Sequence, residues 1–360
     1  MMNRIHFLNQ LAETSARYNL GAGVPPLDLY PQLDIERLVG TYREAHPKNS
    51  LLNYHATEGM IRSFAAEALT KNEGHTAVTD DILVTNGVQE AISLAAMQFQ
   101  GQTIACRDPY YPGFVDAVRM TGNNVTWIAG DDWIDQVGRL PEGSLFYLSA
   151  DFANPTGARI SIDERQRLVQ LAESRNLYIF DDATYREFDL DERFPALWTL
   201  GPERVIHAMS FSKILAPGLR TAFVHLPKTL APSFSKLKAN MSLNNSGLTQ
   251  AVVAGWLLEQ NFKFGAHLTE IKHRLRENGT VLTQNGAKFS GGFFAELDLG
   301  QPLANLSWSA QLLEKESVAV CPMSLFSDNP SALSSIRLAV ANISAAELQQ
   351  AIDIIIRFVR

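Results

Sequence analysis

Ser210-Phe211-Ser212-Lys213-Ile214-Leu215-Ala216-Pro217-Gly218-Leu219-Arg220 is the stretch on which the reading of this chain turns. It follows the apolar run Val205–Met209, which predicts a buried strand. Lys213 then falls just past the carboxyl end of that strand, where open α/β sheets hold ligands. An amine held there loses part of its solvation as an ammonium and is more readily neutral near physiological pH, the state in which it condenses with an aldehyde. Ser210, Ser212 and Arg220 add two hydroxyls and a fixed cation, a set suited to phosphate. Taken alone, Ser210-x-x-Lys213 fits a surface lysine on a helix after a strand equally well.

Outward from this stretch the sequence alternates strand and helix signals. Ile82–Thr85 reads as a strand and Gln89–Gln98 as a helix; Thr103–Cys106, Val125–Ala129 and Leu145–Ser149 are further short strands. Ser161-Ile162-Asp163-Glu164 is a capping box opening an amphipathic helix to about Arg175, followed by strands at Leu177–Phe180 and Thr221–His225. Such alternation predicts an α/β fold with a mostly parallel sheet between two helical layers. After about Asn245 the pattern changes to helical stretches, Leu248–Glu259 and Phe264–Leu282, then a weaker αβ pattern from Phe293 and a last helix at Ala345–Val359.

A chain of 360 residues suits a large domain with a smaller companion. Its 46% apolar and 19% charged residues are those of an ordinary soluble protein, and 31 basic against 38 acidic residues leave no electrostatic footprint for nucleic acid. Cys106 and Cys321 lie far apart in apolar runs and read as buried small hydrophobes rather than a disulfide. No apolar segment approaches a membrane span, and Arg4, Asn9, Gln10, Glu13 and Arg17 interrupt what a signal peptide would need, so a cytoplasmic location is expected.

Six further segments carry candidate chemistry. In Thr85-Asn86-Gly87-Val88-Gln89 a glycine between strand and helix lets backbone approach a phosphate, and the helix start offers N–H groups; a plain turn glycine has the same signature. Asp108-Pro109-Tyr110-Tyr111-Pro112-Gly113 and Asp151-Phe152-Ala153-Asn154-Pro155-Thr156-Gly157 are turns after strands. Asp181-Asp182-Ala183-Thr184-Tyr185 ends a strand with two acids, a pattern that taken alone is more often a solvated cap. Asn53-Tyr54-His55-Ala56-Thr57-Glu58-Gly59 lies near the start, and Ile336-Arg337-Leu338 puts an arginine on a late strand, where arginines usually face solvent.

In this order, from Tyr54 to Arg337, the segments resemble fold-type I pyridoxal-phosphate enzymes, the aspartate aminotransferase family (class I/II aminotransferases). The Lys213-to-Arg220 spacing and the Ala216-Pro217-Gly218 insert look most like the aminoadipate and kynurenine aminotransferase branch. The resemblance implies that Lys213 carries pyridoxal 5'-phosphate as a Schiff base and moves the substrate α-proton. Asp182 would pair with the pyridine nitrogen, with Asp181 the competing choice. Tyr111 would stack on the ring, and Asn154 and Tyr185 would donate to its oxygen. Gly87, Val88, Gln89, Ser210, Ser212 and Arg220 would hold the phosphate, although the family usually has a hydroxyl residue where Val88 stands. Tyr54 would reach the phosphate of a neighbouring subunit in a homodimer. Arg337 would grip the substrate α-carboxylate, aided by Asn154.

The same resemblance divides the chain into an N-terminal arm (1–45) that joins a small domain, a large cofactor domain (46–250), and a connecting helix with the C-terminal small domain (251–360). Transamination between an L-amino acid and a 2-oxo acid is the expected reaction. Decarboxylation, elimination, condensation and oxidation use the same framework. A non-catalytic sensor, as in GntR-like regulators with an aminotransferase-like domain, would need an amino-terminal winged helix, and Tyr54 comes too early for one. The arm around Tyr18–Tyr30 is where side-chain specificity would be set. Gly23 there fits close approach to a substrate or a flexible arm.

Overall fold

The computed structural model describes residues 4–26, 28–29, 32–48, 51–301, 305–328 and 334–359, so Tyr30 of the arm lies outside the described residues. The strands run in chain order as β1 (Tyr18–Asn19), β2 (Ile82–Thr85), β3 (Ile104–Arg107), β4 (Val125–Ile128), β5 (Leu145–Leu148), β6 (Tyr178–Asp182), β7 (Val205–Ser210), β8 (Ala222–His225), β9 (Phe294–Asp298), β10 (Val318–Ala319), β11 (Cys321–Pro322) and β12 (Ser335–Ala339). Seven of them form one sheet in the order β2-β8-β7-β6-β5-β3-β4. Only β8 runs against its neighbours, so β2 to β7 all point the same way.

The period of two along each strand divides the core. Leu145 and Tyr147 of β5 pack with Phe180, Ile206 and Val224 on one face, beneath the helices Val88–Gln98 and Pro112–Met120. Phe146 and Leu148 pack with Ile179, Val205 and Phe223 on the other, against Leu168 and Trp256. Both faces are covered, which is why β5 and β7 are buried at every residue and read as unbroken apolar runs. The capping box stands as read: the Ser161 hydroxyl accepts from Glu164 N–H and the Glu164 carboxylate accepts from Ser161 N–H, opening the helix Ile162–Ser174.

Two elements depart from the sequence reading by more than a single residue at an end. β6 continues through Asp181 and Asp182 because both carboxylates find donors inside the sheet. The stretch Phe264–Leu282 is not one helix: Phe264 packs edge-on against Phe211 and alongside Trp256, and the helix starts at Thr269. Both cysteines are free and buried.

The ends of the chain meet. Tyr18 and Asn19 pair in parallel with Val318 and Ala319, and Leu20 continues the contact by accepting from Ala339 N–H. β9, β11 and β12 form a three-stranded sheet beside them. Among the described residues no helix is long and apolar enough to cross a membrane.

Candidate active site

Because β2 to β7 are parallel, the residues that follow them gather at one edge of the sheet. Gly87 follows β2, Tyr111 follows β3, Asn154 follows β5, Asp182 closes β6, and Lys213 follows β7 on the short helix Phe211–Ile214. A single cavity is lined there by Tyr111, Asn154, Asp182, Tyr185, Lys213 and Arg220. Val88, Gln89, Ser210, Ser212, Arg337 and, from the arm, Gly23 also line it.

Lys213 sits at the centre. Its Nζ donates to the Gly23 carbonyl at 2.7 Å. Desolvation, and then repulsion from Arg337 and Arg220, push its pKa down to about 8 against an opposing pull from Asp182. A buried amine with a lowered pKa meets the physical requirement set out for Lys213 from the sequence, which a surface lysine would not.

One end of the cavity is an anion corner. Gly87 has φ +77°, and a Cβ there would collide with Arg220 Nη2, so only glycine lets the guanidinium lie against this turn. Arg220 itself sits at φ +46° and donates to Ser212 Oγ (3.2 Å) and to the Asn86 carbonyl (3.2 Å). The first N–H groups of the helix Val88–Gln98 have no partners within the helix and carry its dipole. Val88 turns its side chain into the core, so it offers backbone only. The Gln89 carboxamide donates to the Gly113 carbonyl and accepts from the Tyr111 hydroxyl, tying the aromatic wall to this helix.

Tyr111 and Asp182 line the cavity between its two ends. Burial, then the Asp182 charge, push the Tyr111 phenol up to about 12, so it stays neutral. Asp182 Oδ1 accepts from the Thr184 N–H (3.2 Å) and hydroxyl (2.6 Å), and Oδ2 from the Tyr147 hydroxyl (2.8 Å). Burial raises its pKa and these donors oppose the rise. Asp181, one residue away and therefore on the opposite face, accepts from Ala150 N–H and pairs with His207 Nδ1 at 2.9 Å, outside the cavity. Tyr110 is buried against Trp127, as expected of a core aromatic.

The other end of the cavity is built around a buried cation. Arg337 on β12 is 2% exposed, with its guanidinium 4.5 Å from the Phe294 ring centroid and 4.6 Å from that of Phe326. It donates to Asn154 Oδ1 at 2.9 Å and to the Gly21 carbonyl at 2.5 Å. Gly23 is glycine because a Cβ would meet the Phe294 ring at 2.6 Å. The Asn154 turn is anchored from below by Asp151, which binds Arg165, Arg186 and Arg159 in a buried network continuing to Glu73.

Tyr54 is not brought into this cavity; it is 79% exposed on the surface of the chain. Several lining residues escaped the sequence reading, among them Leu8, Ile92, Ser149, Thr184 and Phe294. Thr184 carried a usable signal, a hydroxyl two residues after an acid at a strand end. Phe294 carried none.

Aminotransferase class I and II is the family whose sequence profile matches, over residues 18–355. The 2-aminoadipate transaminase of Thermus thermophilus is 27% identical across 94% of this chain and 89% of that protein. The crystal structure of LysN, the α-aminoadipate aminotransferase of Thermus thermophilus complexed with N-(5'-phosphopyridoxyl)-L-leucine, superposes with a TM-score of 0.85 at 25% identity, covering 100% of this chain and 95% of that one. The HTH-type transcriptional regulator NorG of Staphylococcus aureus is also similar, at 23% identity over 99% of this chain and 84% of that protein.

Proposed function

The chain belongs to the class I and II aminotransferase family and is a pyridoxal-phosphate-dependent enzyme, and we propose that Lys213 is the residue through which it moves an amino group between an L-amino acid and a 2-oxo acid. The observation that carries this assignment is the enclosed Lys213 amine, with its depressed pKa, lying between an anion corner and a carboxylate corner of one cavity.

The residues present fit the cofactor. Gly87 with its close-packed Arg220, the start of the helix Val88–Gln98, Ser210 and Ser212 suit a phosphate; Tyr111 suits a flat ring; Asp182 suits a ring nitrogen. When bound, pyridoxal phosphate supplies an aldehyde carbon for the substrate nitrogen and a ring that delocalises the electron pair left by the α-proton. The Asp182 carboxylate would hold a proton at the pyridine nitrogen. Asn154 and Tyr185 would donate to the ring oxygen. The Lys213 amine would take the α-proton and return it two atoms along, on the far side of the substrate nitrogen, acting as base and then acid. Arg337 and Asn154 bind the α-carboxylate of both donor and acceptor.

The chain is read as a cytoplasmic homodimer in which Tyr54 serves the partner's phosphate. Support comes from the exposure of Tyr54 and of Leu52, 99% exposed beside it. The division at about residues 45 and 250 belongs to the same reading, supported by the pairing of β1 with β10. A panel of L-amino acids with 2-oxo acid acceptors tests the reaction, with 2-oxo acid, carbon dioxide and hydrogen peroxide all measured. Amino transfer without peroxide is expected; carbon dioxide or peroxide in step with substrate loss would move the enzyme to decarboxylation or oxidation.

A further inference from the structure

Asp182 is a buried carboxylate that makes no ion pair among the described residues, so its hydrogen bonds do the work a cation would otherwise do. Two come from Thr184, two residues along its own chain. The third comes from a different strand. Tyr147 lies on β5 opposite Phe180 of β6, and the period of two puts Tyr147, Phe180 and Asp182 on one face. The phenol reaches one step along that face and donates to Asp182 Oδ2 at 2.8 Å.

We propose that Tyr147 is a positioning residue for the reaction, its hydroxyl fixing the rotation of the Asp182 carboxylate so that a free lone pair faces the pyridine nitrogen. This rests on the assignment of Asp182 made above. With Oδ1 taken by Thr184 and one lone pair of Oδ2 taken by Tyr147, the carboxylate cannot turn without losing a donor. Tyr147 cannot withdraw either. Its ring is stacked on Phe114 at 4.0 Å and 15°, and on Phe180 at 5.7 Å and 28°. Burial and the Asp182 charge hold its own pKa well above the ordinary tyrosine value, so it remains a donor at any working pH. Removing the hydroxyl would leave a buried carboxylate with one donor fewer, which favours the protonated acid and weakens its hold on a ring proton.

The test uses Tyr147→Phe, which keeps the stacked ring, and Tyr147→His, which restores a donor. Each is loaded with pyridoxal phosphate carrying 15N in the ring. The unaltered enzyme should show the 15N shift of a protonated pyridine. Tyr147→Phe should shift toward the unprotonated value and lose about tenfold in kcat with KM nearly unchanged, the size of one charge-assisted hydrogen bond. Tyr147→His should recover part of both. An unchanged 15N shift and a kcat within twofold in Tyr147→Phe would overturn the proposal, as would a drop in thermal stability with no change in the shift. If the unaltered enzyme itself shows an unprotonated ring nitrogen, the assignment of Asp182 fails first.

Discussion

At Lys213 the fold places an amine where its charged form is disfavoured, and this has a consequence that needs no substrate. Below about pH 8 the amine is protonated in both folded and unfolded chains, and the folded state bears the whole desolvation penalty. From there toward its ordinary value of 10.5 the unfolded chain holds more protons than the folded one, so stability rises with pH until the penalty is gone. In cofactor-free protein Lys213→Met should therefore raise the urea midpoint at pH 7, and the gain should shrink by pH 10. A gain that does not change with pH would mean the amine is not penalised. Arg337 is a planar donor set held between Phe294 and Phe326. Arg337→Lys should lower kcat/KM for amino acids by thirtyfold to a thousandfold, about 2–4 kcal/mol, while cofactor affinity is retained. Equal kcat/KM in the variant would remove Arg337 from substrate recognition. The burial of Arg337 was not legible in the sequence, because the rings that enclose it come from positions 294 and 326 and nothing in Ile336-Arg337-Leu338 points to them.

The strand β6 separates two adjacent acids by geometry alone: Asp182 faces the cavity, whereas Asp181 faces His207 in the register partner β7. Asp182→Asn should slow the α-proton step by a hundredfold or more, as a lost electrostatic partner of the ring. Asp181→Asn should lower stability and leave kcat within a few fold. The reverse order, read from single-turnover rates, would reassign the ring carboxylate. Elements of this kind were largely legible: apolar runs mark β5 and β7, and Ser161 with Glu164 marks a helix start, because each signal is local. The Phe264 boundary was not, since the aromatic packing of Phe264 with Phe211 and Trp256 overrides an amphipathic pattern that looks continuous. The buried network from Glu73 through Arg186 to Asp151 was equally hidden, its two links joining residues 113 and 35 positions apart.

Across the whole molecule the cavity is assembled from the start, middle and end of the chain, with Gly23, Lys213 and Arg337 in mutual reach. The family's motif order made that assembly legible, whereas the side chains from the arm, such as Leu8, follow from tertiary packing alone. Tyr54 stands apart on the surface of the chain, and the proposed shared site makes a specific prediction. Mixing a Lys213→Ala chain with a Tyr54→Phe chain should produce hybrid dimers with one doubly defective site and one intact site, and activity above both parents. No recovery despite verified subunit exchange would contradict sharing. The central claim, that Lys213 carries the cofactor, is tested most directly by reducing the purified holoenzyme with borohydride and locating the pyridoxyl group by peptide mass spectrometry. The account predicts one modified peptide, with the added mass on Lys213; a label on another lysine, or none on protein saturated with pyridoxal phosphate, would contradict it.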